Sequence, residues 1–159
     1  MHKIVVNLGN VSQAIEELEK YRKQLESNIK EFLTRLLESG VDISKAKIEE
    51  LDAIDNGELL NSMDYMLYKE GNKGIIFTKC THACFVEFGT GVKGANSPHP
   101  TKPWLYDTNE HGEDGWYYYD TELGRIRFTK GMPSRPFMYE TTKELEQKAV
   151  EIAREVFSR

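Results

Sequence analysis

Apolar side chains recur at intervals of three and four from Val11 onward: Val11, Ile15, Leu18, Leu25, Ile29, Phe32 and Leu36, with Arg22 at the one step that breaks the run. This period predicts a long amphipathic α-helix, with Gly40 placed to supply a left-handed cap at its C-terminal end. Its length, ~43 Å at ~1.5 Å per residue, exceeds the width of a domain this size, so part of the stripe is expected to face another subunit. A shorter helical segment is expected over 45–54, and Asn56-Gly57 reads as a turn.

Beyond that turn the period changes to two. Met63, Tyr65 and Leu67 alternate with Asp64, Met66 and Tyr68, and Gly71-Asn72-Lys73-Gly74 leads into Ile75 to Cys80, which together read as an antiparallel hairpin. Ala83 to Phe88 is expected to be a third strand, and Trp116 to Asp120 with Arg125 to Thr129 a second hairpin. Between them the span 89–115 is rich in glycine and proline without a usable period, which predicts a long flexible loop. After Pro136, Met138, Leu145, Ala149, Ile152, Ala153 and Val156 give a last helical stripe. The expected fold is a single α+β domain over 1–159: a long N-terminal helix, a mostly antiparallel sheet of four to five strands, and a C-terminal helix packed on the sheet.

Composition sets the outer limits. Leu, Ile, Val and Phe make up ~24% of the 159 residues, above the ~20% at which disorder becomes the default. A net charge of -5 disfavours a protein whose affinity comes from neutralising many phosphates, so direct DNA contact is not expected. The apolar run Ile4-Val5-Val6 is far shorter than the ~7 to 15 residues of a signal-peptide core, and no membrane partner is expected. Two cysteines four positions apart on one strand would lie ~13 Å from each other, too far for a disulfide.

Four groups of residues carry candidate chemistry. Gly89, Gly91 and Gly94 have the spacing of a dinucleotide fingerprint, but Pro98, Pro100 and Pro103 oppose the helix that fingerprint needs, so no cofactor site is expected. Cys80, His82 and Cys84 are soft ligand types, with His99 and His111 as further donors, and they support a rival reading as a small zinc or thiol enzyme. The loop acids Asp107, Glu110, Glu113 and Asp114 lack the spacing of a calcium loop. Trp116, Tyr117, Tyr118 and Tyr119, followed by Arg125, Arg127, Lys130 and Arg135, combine aromatics with positive charge. Given the acidic total, they are expected to form a protein interface more than a nucleic-acid platform, with the tyrosine strand packing one face on the core.

Three pieces in order carry a resemblance to a known family. They are Asn56-Gly57-Glu58-Leu59-Leu60-Asn61-Ser62-Met63, then Ala83-Cys84-Phe85-Val86-Glu87-Phe88-Gly89-Thr90-Gly91, then Lys130-Gly131-Met132-Pro133-Ser134-Arg135-Pro136-Phe137-Met138. Together they resemble the small tail-component proteins of long-tailed bacteriophages and prophages, the head-tail joining or tail-completion family, over roughly 56–159. Cys84 stands where that family usually has a basic or polar residue. The resemblance implies a non-enzymatic structural protein of the virion neck, built in the host cytoplasm and arranged as a ring, with six copies expected, between tail tube and head connector. A head-closure or tail-terminator protein of the same machine is the near alternative. Glu87, Phe88, Gly89, Thr90 and Gly91 are expected to be structural, with Glu87 paired to Arg127 or Arg135, and Pro136-Phe137 are expected to anchor the last helix.

Overall fold

A computed structural model describes residues 8–55, 57–101, 115–121 and 123–158. The N-terminal helix, α1, runs unbroken over Leu8–Glu50. The two helical segments expected from the sequence are therefore one, and Gly40 lies inside it. The reason is packing: a Cβ on Gly40 would collide with the Ile76 side chain, so the missing side chain lets a strand lie close to the helix. Leu37, Ile43, Ser44 and Ile48 are buried on this C-terminal half. On the N-terminal half Val11, Ile15, Leu18, Tyr21 and Leu25 are all exposed among the described residues.

A short helix, α2 (Glu58–Asn61), leads into β1 (Met63–Tyr68), which pairs antiparallel with β2 (Lys73–Thr78) in the register Met63 to Thr78 and Tyr68 to Lys73. The alternation expected here holds: Met63 is buried, Tyr65 and Leu67 are half-buried, and Asp64, Met66 and Tyr68 are exposed. The expected strand over Ala83 to Phe88 is instead a helix, α3 (Ala83–Phe88). Helical spacing turns Ala83, Val86 and Glu87 inward, whereas a strand would have sent Val86 and Glu87 to opposite faces. A six-residue segment with five apolar residues is too short for its period to separate the two conformations.

Part of the expected loop is also helical. A fourth helix, α4 (Gly91–Asn96), ends before Pro98, and the expected flexibility over 102–114 lies outside the described residues. The second hairpin forms as expected from β3 (Trp116–Asp120) and β4 (Arg125–Thr129), in the register Trp116 to Thr129 and Asp120 to Arg125. Among the described residues the two hairpins do not join: they form two separate two-stranded sheets where one sheet of four to five strands was expected. The last helix, α5, spans Phe137–Phe157.

Helix α5 lies antiparallel along α1, as three contacts in reversed order show. The Phe32 and Phe157 rings are 5.9 Å apart, Arg35 binds Glu155, and Lys47 Nζ lies 3.4 Å from Glu144. The expectation that α5 packs on a sheet is thus replaced by helix-on-helix packing, with the α5 N-terminus reaching the core. That core joins Ile48 of α1, Leu59 of α2, Met63 of β1, Cys80, Ala83 and Val86 of the α3 region, and Phe137. The chain is α+β. No helix among the described residues is long and apolar enough to cross a membrane.

Candidate functional site

The second and third of the family-like pieces meet in one place, and Glu87 is the joint. An α-helix begins with backbone N–H groups that have no partner within the helix, and α5 opens after Pro136, whose side chain offers no acceptor. The Phe137 amide donates to the Arg135 carbonyl at 2.8 Å, and the Glu140 amide to the Pro136 carbonyl at 3.0 Å. Between them, the Met138 amide donates to Glu87 Oε2 at 2.8 Å and the Tyr139 amide to Glu87 Oε1 at 3.0 Å. A carboxylate from α3 thus takes the capping role that a local Ser or Asp usually fills, and its charge suits the positive end of the helix.

Glu87 is only 7% exposed, so its charge needs further partners. His99 Nε2 lies 3.0 Å from Oε1, and the Thr101 amide donates to His99 Nδ1 at 3.0 Å. The bond at Nδ1 leaves the ring proton on Nε2, directed at the carboxylate. The imidazole is held between the Phe88 ring, 4.5 Å away, and the Tyr139 ring, 5.6 Å away. His99 is therefore a structural partner of Glu87. Of the two partners expected from sequence, Arg127 pairs instead with Asp120 at 3.0 Å, and Arg135 joins α3 through its backbone, its amide donating to the Val86 carbonyl at 2.9 Å.

The segment over 130–135 is laced to the end of α3. The Thr90 amide donates to the Met132 carbonyl at 2.9 Å, the Met132 amide to Thr90 Oγ1 at 3.1 Å, and Ser134 Oγ to the Glu87 carbonyl at 2.7 Å. Gly89, at φ +79, sits so close to this segment that a Cβ would lie 2.6 Å from the Ser134 nitrogen. A Cβ on Gly91 would meet the Lys130 carbonyl and the Trp116 ring. Glu87, Gly89, Thr90 and Gly91 all lie in this laced region, and Phe137, 1% exposed, sits in the core at the start of α5.

Cys80, His82 and Cys84 do not assemble as a trio. Cys84 is exposed on α3, and Glu58 takes its place: the ligand atoms of Glu58, Cys80 and His82 all lie within 4.8 Å of one another. Cys80 Sγ and His82 Nε2 are 3.1 Å apart. Burial pushes the Cys80 thiol up, the Glu58 charge adds to this, and hydrogen bonds from the His82 and Ala83 amides oppose it. Of the further donors named from sequence, His99 is committed to Glu87 and His111 lies outside the described residues.

The third candidate surface is the β3–β4 hairpin. Residues opposite each other share a face, so Tyr117 and Tyr119 stand with Phe128 and Ile126 on one side. Tyr117 is 74% exposed, Ile126 69% and Tyr119 63%, with Phe128 exposed beside them. The expectation that the tyrosine strand packs one face on the core holds only at its root, where half-buried Trp116 approaches Gly91. Arg125 and Arg127 are exposed and Arg135 is half-buried.

No family model, curated protein or solved structure matches this chain. Two participants were not assigned their roles from sequence. From sequence His99 reads only as a metal donor, and Glu58 only as part of one of the three pieces. A histidine buried beside a carboxylate and a surface glutamate near a thiol leave no periodic signal, because both pairings are made by chain folding back on itself.

Proposed function

We propose that this chain is a structural subunit of a phage tail end: a tail-completion protein that joins the tail tube to the head connector as a ring of copies in the virion neck. The observation that supports this most strongly is the aromatic face of the β3–β4 hairpin. A two-stranded hairpin is marginal in water by itself, and this one projects Tyr117, Tyr119, Ile126 and Phe128 without cover among the described residues. Exposed aromatic and aliphatic clusters of this kind are characteristic of protein interfaces.

A closed ring needs two different surfaces on each subunit, joined head to tail. The exposed stripe Ile15, Leu18, Tyr21 and Leu25 on α1 offers the second. The resemblance of the three sequence pieces to tail-component proteins supports a place for the ring in the neck, after assembly in the host cytoplasm. Deletion of the gene from its parent phage or prophage tests the reading. Electron microscopy of the induced lysate is expected to show filled heads beside unattached tails. Intact, infectious particles would overturn it.

A further inference from the structure

Outside the hairpin and the Glu87 joint, one cluster brings together three donor types that together favour a transition metal. We propose that Glu58, Cys80 and His82 form a zinc-binding site that ties the α2 helix to the turn after β2. Thiolate, imidazole and carboxylate are the three ligand classes zinc uses, with bonds of ~2.0 to 2.3 Å. Tetrahedral geometry at those lengths separates ligand atoms by ~3.4 to 3.6 Å. Here all three lie within 4.8 Å, with the sulfur and the imidazole nitrogen at 3.1 Å. Closing the site takes a shift of about an ångström from the exposed Glu58 side chain and a slight opening of the Cys80–His82 pair.

The fold positions these donors before any metal arrives. The Ala83 amide donates to the Cys80 carbonyl at 3.3 Å, and this tight turn brings His82 back over Cys80. The Cys80 amide is held by Thr78 Oγ1 at 3.1 Å. On the other side, Ser62 Oγ and Thr78 Oγ1 lie 2.6 Å apart, which pins the end of α2 to the end of β2 and keeps Glu58 near the turn. Leu59 and Ala83, neighbours in sequence of Glu58 and His82, are both buried in the core, so the cluster sits at the edge of a packed region.

Binding exchanges the Cys80 thiol proton, released to solvent, for the metal, so affinity weakens as pH falls. Three protein ligands leave the fourth position to water. The site closes the chain between residues 58 and 80 and reinforces the core edge where α2, β2 and α3 meet. It stands apart from the assembly role.

The test uses the full chain, stripped with a chelator and titrated with Zn2+ alone, with Co2+ as the spectroscopic probe. One zinc per chain is expected to survive desalting, and Co2+ is expected to give thiolate-to-metal charge-transfer absorption. Cys80→Ser should abolish that absorption, and Cys84→Ser should leave it unchanged. Glu58→Gln, which keeps the size of an exposed side chain and removes its charge, should weaken zinc binding ~10-fold or more. No retained zinc, a cobalt spectrum without the thiolate band, a band that follows Cys84, or unchanged binding in Glu58→Gln would each overturn the site.

Discussion

The Glu87 carboxylate accepts the Met138 amide at 2.8 Å although the two residues lie 51 positions apart. This bond, with its companion to Tyr139, makes the start of the last helix depend on a side chain from α3. Removing the acceptor leaves two backbone donors and the His99 ring N–H without their charged partner. Glu87→Ala is expected to cost about 3 kcal/mol or more in urea unfolding, since hydrogen bonds to charged groups are worth ~1.5 to 3 kcal/mol each. Glu87→Gln, which keeps one acceptor but turns a donor toward the second amide, should fall between it and the parent. Equal stability of Glu87→Ala and the parent would remove Glu87 as the cap.

Phe137 follows directly from that cap, because α5 is aimed into the core by its first residue. The ring is 1% exposed, so Phe137→Ala is expected to lose ~3 to 5 kcal/mol. A loss under ~1 kcal/mol in the same unfolding experiment would mean that the ring is not buried.

Gly89 tolerates no side chain, for two separate reasons. Its φ is +79, and an added Cβ would press on the Ser134 nitrogen and the Met132 carbonyl, which are backbone and cannot swing away. Gly89→Ala should therefore destabilise by more than the ~1 kcal/mol ordinary for a left-handed glycine, and it should expose the segment over 130–135 to protease. Gly124, at φ +60 with only Tyr119 Oη nearby at 3.9 Å, is the matched control, in which only the backbone cost applies.

The two thiols should react at very different rates in chelator. Cys84 is exposed and Cys80 is buried, so alkylation of the native chain followed by peptide mass mapping should mark Cys84 first. Burial raises the folded Cys80 thiol above its unfolded value. The unfolded chain therefore gives up this proton first as pH rises, and stability from this group falls once pH passes the ordinary thiol range near ~8.5. Cys80→Ala should flatten that part of the stability profile, and faster labelling of Cys80 than Cys84 would contradict the structure.

The hairpin face should matter for assembly and not for folding. Tyr117→Ser combined with Ile126→Ser alters two exposed side chains, so thermal unfolding of the isolated chain should move little, by ~0.5 kcal/mol or less per site. Complementation of the deleted gene with this double variant should fail to join heads to tails. Full rescue would show that the face is not an assembly surface.

Several elements were legible in the sequence because their signals are local. The alternation of Met63, Tyr65 and Leu67 announced β1, the Trp116 and Arg125 runs announced the second hairpin, and the stripe from Met138 to Val156 announced α5. The long helix was also legible from Val11 onward. Each rests on a period of two or 3.6 that a strand or helix imposes on its own residues.

What only the tertiary structure decided concerns contacts between distant segments. Gly40 read as a helix end, yet it lies within α1, where Ile76 occupies the space its side chain would take. Ala83 to Phe88 read as a strand, yet it is a helix that turns Glu87 toward the amides of Met138 and Tyr139. Glu58 joins Cys80 and His82 only because Ser62 and Thr78 meet. Local preference in such short or interrupted segments is weak, so the partner met across the fold settles their conformation, and that partner leaves no mark in the periodicity of either segment.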